Sequence, residues 1–376
     1  MAFVITLTDA AGAGTVGGKA ASLGELARAG VAVPSGFAVT TGAFAAAMAA
    51  VDADGTLRAG IEALPAGDVA QIARAAARFR AIVAQAPLPS EVAAAVEAGY
   101  AALGGSASGD AAPDVAVRSS ATVEDSAEAS FAGLQDTYLG VSGAATVLGY
   151  VRRCWASMYN DESVAYRRRL GLPEAGVAMA VVVQRMVAPR AAGVMFTRSP
   201  VTGDRSVVAI EGTWGLGSAL VSGDVTPDSW VISKVTGEIT ARRVSPKAKV
   251  HRYDPGGGAG PGPGGQAEVV GRVTVRDTPR ELREAPCLTD EEIRALAAVG
   301  RRVEVHFGAP QDIEWAVLDA PFAPAAGDSP AQDAESRVVL LQSRPETVWA
   351  ARDARPAGTP RPRAADHVLA LFGKPR

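Results

Sequence analysis

Near residue 177 the chain changes its pattern, and that change limits the architectures open to it. From 41 to about 103 the sequence is alanine-rich, with Ile72, Ala75, Ala76, Phe79, Ile82 and Val83 recurring at three- and four-residue spacing. That spacing predicts helices, and a further helix is predicted over 144–169, carrying Tyr150, Trp155, Met158, Tyr159 and Tyr166. Beyond 177 the apolar segments are short, β-branched and bounded by Gly, Pro and Asp, so strands are predicted over 177–186, 193–196, 207–211 and 229–234. A chain built this way is expected to be α+β rather than a regular alternation of the two element types.

Other elements complete the pattern. A strand over 3–8 leads through a glycine-rich turn to a helix that begins near Lys19 and ends at Gly30, followed by an extended segment over 31–41. Residues 104–113 read as a flexible break, and 255–265, nearly all glycine and proline, as a mobile loop. A helix is predicted over 289–307 with Thr289 as its cap, then closing strands over 312–318 and 337–343. The expected organisation is a first lobe over 1–187, a second over 188–349 and a flexible tail over 350–376, amphipathic only at 367–372.

Composition narrows the function classes. At 376 residues and 48% hydrophobic content, two lobes with sizeable cores are expected. No apolar run approaches the ~20 residues of a membrane span, and the N-terminus has no basic, then apolar, leader pattern. Cys154 and Cys287 lie far apart and read as reduced thiols of a cytoplasmic protein. A net charge of -3 offers no general attraction to nucleic acid or membrane, so an anionic ligand needs a few placed cations.

Four constellations could supply them. Gly12 to Lys19 has the spacing G-x-G-x-x-G, but the strand that follows carries no acid for a ribose, and Ala13 and Ala20 break a Walker A loop. A lysine at a helix N-terminus remains, where backbone N–H groups already favour an anion; a solvated surface lysine is the plain alternative. In Val115-Ala-Val-Arg-Ser-Ser-Ala-Thr-Val-Glu-Asp125 an apolar strand delivers Arg118 and a run of hydroxyls, matching phosphate oxygens. The alternative is a local ion pair of Arg118 with Glu124 or Asp125. Gln184 ends a strand that could connect two lobes and expose backbone groups to a base edge, or it could simply pack. Asp312-Ile-Glu-Trp315 and Leu341-Gln-Ser-Arg-Pro345 place Asp312 with Glu314, and Gln342 with Arg344, each on one strand face. Such oxygen donors suit Mg²⁺, and a Glu314–Arg344 cross-strand ion pair is the alternative.

Taken in order, these segments resemble the ATP-binding domain of the phosphoenolpyruvate synthase, pyruvate phosphate dikinase and rifampin phosphotransferase family. The resemblance also takes in Phe131-Ala-Gly-Leu-Gln-Asp136, Val183-Gln-Arg-Met-Val187, Gly193-Val-Met-Phe196, Trp214-Gly-Leu-Gly217 and Thr226-Pro-Asp228. It implies an ATP-grasp-like, two-lobed fold with ATP clamped between the lobes. By the same resemblance Lys19, Arg118 and Arg344 would hold the phosphates and act catalytically, with Ser119 beside them, and Glu314 and Gln342 would hold Mg²⁺. Gly133 and Gln135 would belong to a loop over the phosphates. Gln184, Met186 and Ala188 would line an adenine hinge, and Glu211 would serve the sugar or adenine side.

In complete members of the family this domain loads phosphate onto a histidine within a Gly-Gly-x-x-x-His-Ala-type motif. None of the three histidines here, His251, His306 and His367, lies in such a motif. The expectation is therefore an ATP-binding phosphotransferase subunit, similar to that of phenylphosphate synthase. It would use Mg-ATP to phosphorylate a histidine on a separate partner, releasing AMP and phosphate. A kinase or ligase acting directly on a small molecule and a non-catalytic nucleotide-binding regulator are the other readings.

Overall fold

Residues 2–104, 113–121, 125–126, 129–130, 137–255, 267–269, 272–322 and 333–353 are described by a computed structural model. Two six-stranded sheets organise it. The first is built from β1 (Val4–Thr6), β2 (Gly36–Val39), β3 (Val115–Ala121), β4 (Thr137–Val141) and β5 (Met179–Arg185), in the order β1-β2-β5-β3-β4. Its sixth strand, Ala267–Val269, arrives from far along the chain and pairs in parallel with β4. The second sheet comprises β6 (Ala191–Phe196), β7 (Val207–Trp214), β8 (Asp228–Ser233), β9 (Ile239–Arg243), β10 (Gln311–Val317) and β11 (Val338–Pro345), ordered β9-β8-β7-β6-β10-β11. A two-stranded ribbon, Lys249–Tyr253 against Val273–Asp277, stands beside them. Helices and sheets are thus mixed in the α+β manner.

Side-chain alternation decides what each face meets. Val115, Val117, Val181 and Val183 point to one face of the first sheet, where the helices Thr41–Val51, Val69–Gln85, Ser90–Leu103 and Ala144–Ser157 close a core around Phe44, Phe79, Trp155 and Tyr159. The opposite face meets helix α1 (Ala13–Arg28), whose Val16, Ala20, Leu23 and Leu26 pack with Ala38 and Val182. That apolar cluster continues into the second sheet, through Met195, Ile210, Trp230, Ile313 and Trp315, to the helix Asp290–Phe307. Helix α1 therefore touches both sheets, and Ser22 Oγ donates to the Ser343 carbonyl of β11 at 2.8 Å.

The departures from the predicted elements have local causes. The single helix expected over 144–169 is two, because Asn160 accepts the Ser163 N–H at 2.7 Å and starts Asp161–Leu170 afresh. The helical stretch 41–103 is four helices, interrupted in part where Asp52 and Asp68 bond nearby backbone N–H groups. β9 had no sequence signal, since Ile239-Thr-Ala-Arg-Arg243 is mostly exposed and shows no apolar alternation, and the ribbon was not predicted. Thr289 caps its helix as expected, in a reciprocal capping box with Glu292. The 104–113 break, the 255–265 loop and the tail lie largely outside the described residues.

One glycine fixes the approach of α1 to β3. Gly17 has φ 76° and ψ 164°, which breaks the helix so that a fresh N-terminal turn begins just before Lys19. A Cβ there would lie 2.1 Å from the Ser120 carbonyl oxygen. Ser120 Oγ completes the junction, donating to the Val16 carbonyl at 3.1 Å and accepting from the Ala20 N–H at 3.4 Å. Gly17→Ala is expected to lower unfolding free energy by on the order of 3 kcal/mol, combining a positive-φ penalty with backbone overpacking. Urea denaturation of the two proteins measures it.

Candidate functional site

The site forms where the second sheet's outward face meets α1 and β3. Strand pairing lines up Ser229, Glu211, Val194, Glu314 and Gln342 across five adjacent strands, β8 to β11 by way of β7, β6 and β10. The next line out holds Val231, Ala209, Phe196, Asp312 and Arg344. Because alternate residues point the other way, Ile210, Met195 and Ile313 fill the core while the acids and amides face the cleft. Neighbouring strands lie ~4.8 Å apart, so Glu211 stands about 10 Å from Glu314, with Val194 between them.

Arg118 closes this face from the other side. Its guanidinium donates through Nη2 to Glu314 Oε2 at 2.6 Å and to Gln342 Oε1 at 2.8 Å, and through Nη1 to the Leu341 carbonyl at 2.8 Å. The last contact depends on a bulge. Gln342 pairs with Glu314 and Leu340 with Trp315, so Leu341 is the extra residue of β11, and its carbonyl is released from the ladder toward Arg118. Arg118 is only 8% exposed, and its Nε has no hydrogen-bond partner among the described residues. The ion pair with Glu314 is made from the first sheet to the second, and the neighbouring acid Glu124 lies outside the described residues.

Charge in the cleft is balanced unevenly. Burial pushes the Glu314 carboxyl up, but Arg118, with Lys19 and Arg344 beyond it, outweighs that and holds it below the usual carboxylate range. Asp312, one line out, is lifted to about 6 by burial, with Glu346 adding to the effect and Arg344 opposing it. Arg344 pairs with Asp312 at 3.4 Å, so the Glu314–Arg344 pair considered from sequence gives way to two others. Lys19 is half-buried on α1, close enough to act on Glu314.

The remaining predicted residues divide by position. Ser119 is buried on β3. Gln184 is buried at the end of β5, and its Nε2 donates to the Pro34 carbonyl at 3.3 Å, so its side-chain amide is already engaged. The Met186 N–H donates to the Asp114 carbonyl at 2.9 Å, leaving the exposed Ala188 as the freer backbone of that segment. Glu211 is on the cleft face but two strands from the Arg118 cluster. Gly133 and Gln135 lie outside the described residues. Two cleft residues were not assigned from sequence. Asp312 shares a face with Glu314, a signal that was present. Thr137 stands directly across from Arg118 on β4, which only strand register reveals.

Carboxylate and amide oxygens converge here with arginine donors. Among the described residues no group of three His, Cys, Asp or Glu converges as a metal cage. Mg²⁺ bound with a polyphosphate needs only one or two protein oxygens, its other positions being filled by waters and phosphate. Glu314 and Gln342 fit that requirement, and the unpartnered Arg118 Nε fits an added anion.

Comparison with known proteins gives the same direction. The model of the pyruvate phosphate dikinase AMP/ATP-binding domain matches residues 13–364. A rifampicin phosphotransferase of Streptomyces sp is 47% identical over 317 residues, covering 84% of this chain and 34% of that protein. A probable phosphoenolpyruvate synthase of Methanothermobacter thermautotrophicus is 40% identical over 334 residues, covering 89% and 44%. The phosphoenolpyruvate synthase of Aeropyrum pernix is 39% identical over 351 residues, covering 89% and 41%. The matched region is thus an AMP/ATP-binding domain that also occurs in a rifampicin phosphotransferase and in phosphoenolpyruvate synthases. This chain belongs to the pyruvate phosphate dikinase AMP/ATP-binding domain family, and it spans less than half the length of these relatives.

The Arg118–Glu314 contact should be measurable as a coupling. In a double-mutant cycle with Arg118→Met and Glu314→Gln, the combined loss of stability should fall short of the summed single losses by about 1 kcal/mol. Strict additivity in guanidinium denaturation would show that the two sheets are not coupled through this pair.

Proposed function

We propose that this chain is an ATP-binding phosphotransferase subunit of the phosphoenolpyruvate synthase and dikinase type, with an ATP-grasp-like fold whose lobes are 1–187 and 188–349. It uses Mg-ATP to phosphorylate a histidine on a separate partner protein in the cytoplasm. The observation that carries this reading is Arg118, which reaches from the first sheet to Glu314 and Gln342 of the second. A phosphate chain between the two sheets would meet that arginine and those oxygen donors together.

In this reading Lys19, Arg118 and Arg344 hold the phosphates, with Ser119 alongside and Gly133 and Gln135 in the covering loop. Glu314 and Gln342 are the ligands for Mg²⁺, which neutralises phosphate charge when bound. Gln184 shapes the adenine hinge through its position, Met186 and Ala188 line it, and Glu211 serves the sugar or adenine side. Cations placed where charge develops on the transferring group stabilise the transition state without reorganising. Arg118 would have to exchange its carboxylate and amide partners for phosphate oxygens if Glu314 were to hold Mg²⁺. Nucleotide and metal should therefore bind together better than either does alone.

The histidines of the chain support an acceptor elsewhere. His251 is buried, bonded to Ser218 Oγ at 2.9 Å and Asp224 Oδ2 at 3.0 Å. Burial lowers its pKa more than Asp224 raises it. His306 lies on an exposed helix face beside Glu25, and His367 is outside the described residues. Overall, ATP, water and the partner's histidine would yield AMP, phosphate and phosphohistidine, with the β-phosphorus on the imidazole.

Incubation with ATP labelled at the β-phosphorus and a protein carrying the family's phosphohistidine domain should put base-stable, acid-labile label on that partner and yield AMP. Label retained in ADP, with none on the partner, would instead support direct kinase action and sink the two-component reading. Arg118→Ala should remove turnover while the chain stays folded. Glu314→Gln should make nucleotide affinity insensitive to Mg²⁺, as read by calorimetry with and without the metal.

A further inference from the structure

Asp114, the residue immediately before β3, lies at a junction that the phosphate and metal chemistry leaves unused. Its carboxylate is fully buried, and through Oδ2 it accepts from the Tyr253 hydroxyl at 2.6 Å and from Arg272 Nη1 at 3.2 Å. Oδ1 has no hydrogen-bond partner among the described residues. The backbone carbonyl of Asp114 accepts the Met186 N–H at 2.9 Å. Arg272 donates through the same nitrogen to the Pro255 carbonyl at 2.5 Å.

Three chain segments thus converge on one residue: β3, which delivers Arg118 four positions on; the segment that leaves β5; and both strands of the Lys249–Tyr253 and Val273–Asp277 ribbon at their shared end. The ribbon end and the post-β5 segment also pack together, since Tyr253 and Met186 join Leu139 around Leu216 and Val273. A hydrogen bond to a buried charged acceptor contributes more than a neutral one, and a buried carboxylate is tolerated only where such donors meet it. The position of residues 186–188 is therefore set from both sides, by the Asp114 carbonyl along the backbone and by the Asp114 carboxylate through Tyr253.

We propose that Asp114 is a positioning residue for the base-recognition segment 186–188, holding it in place through Met186 and Tyr253 so that it accepts the adenine end of the nucleotide. This rests on the ATP-site reading above. Among the described residues Asp114 bonds to none of the proposed phosphate or metal ligands, so its influence should divide the two ends of the ligand. Groups bound by Arg118, Lys19 and Arg344 should be indifferent to it, whereas affinity contributed by the base should depend on it.

The test is calorimetric titration of the full chain, with Mg²⁺, using ATP and inorganic tripolyphosphate as separate probes. Tyr253→Phe removes one hydroxyl and keeps the ring in its apolar cluster; Asp114→Asn keeps the size and removes the charge. Both variants should bind ATP on the order of tenfold more weakly, the scale of one charge-assisted hydrogen bond, with tripolyphosphate affinity unchanged. Arg118→Ala should weaken both probes. Parallel weakening of both probes by the Asp114 and Tyr253 variants would show general loosening and overturn the proposal. So would unchanged ATP affinity, or a wild-type chain that binds tripolyphosphate as well as ATP. A wild-type chain that binds neither probe would remove the ATP-site reading, and this proposal with it.

Discussion

The guanidinium of Arg118 is the constraint around which the rest of the cleft is arranged. It is nearly buried, so its charge must be met by groups brought to it from the other sheet. Glu314, Gln342 and the Leu341 carbonyl meet it, and each depends on backbone features far from Arg118 in sequence. The bulge in β11 frees the Leu341 carbonyl. The pairing of β10 with β11 sets Glu314 beside Gln342. Gly17 lets α1 approach β3 closely enough to bring Lys19 near the same carboxylate.

Much of this was legible in the sequence because it depends on alternation and short-range order. The face shared by Asp312 and Glu314 follows from a strand period of two, and the hydroxyl-rich run after Arg118 is contiguous. The family likeness then joined segments hundreds of residues apart. What could not be read was register. That Thr137 faces Arg118, that Arg344 takes Asp312 rather than Glu314, and that a bulge falls at Leu341 all depend on how strands from distant segments slide against one another. β9 was missed because an exposed, charged strand lacks the apolar rhythm that reveals one. The ribbon, Lys249–Tyr253 with Val273–Asp277, was missed although Val250 and Val273 are buried.

Some of the segments that carry the family likeness turn out to serve architecture. Asp228 of Thr226-Pro-Asp228 is buried. One carboxylate oxygen accepts from Lys247 Nζ at 2.6 Å and the Ser245 N–H at 2.9 Å, and the other from the Cys287 N–H at 2.9 Å. It ties the start of β8 to two later loops rather than facing the cleft. Gly215 of Trp214-Gly-Leu-Gly217 has φ 70°, and a Cβ there would meet the His251 carbonyl at 2.2 Å. Such positions preserve the scaffold that aims the cleft residues, which explains why a likeness can extend well beyond the groups that meet a ligand.

The strand Ala267–Val269 has a consequence for how the molecule can be taken apart. It belongs by sequence to the later half, yet it completes the edge of the first sheet beside β4. The two halves are therefore interleaved rather than strung in series. A cut between them would strip the earlier half of a bordering strand and expose β4's hydrogen-bonding edge to other chains. Shuffling this chain as modular cassettes would have to respect that weave, moving both halves together or neither.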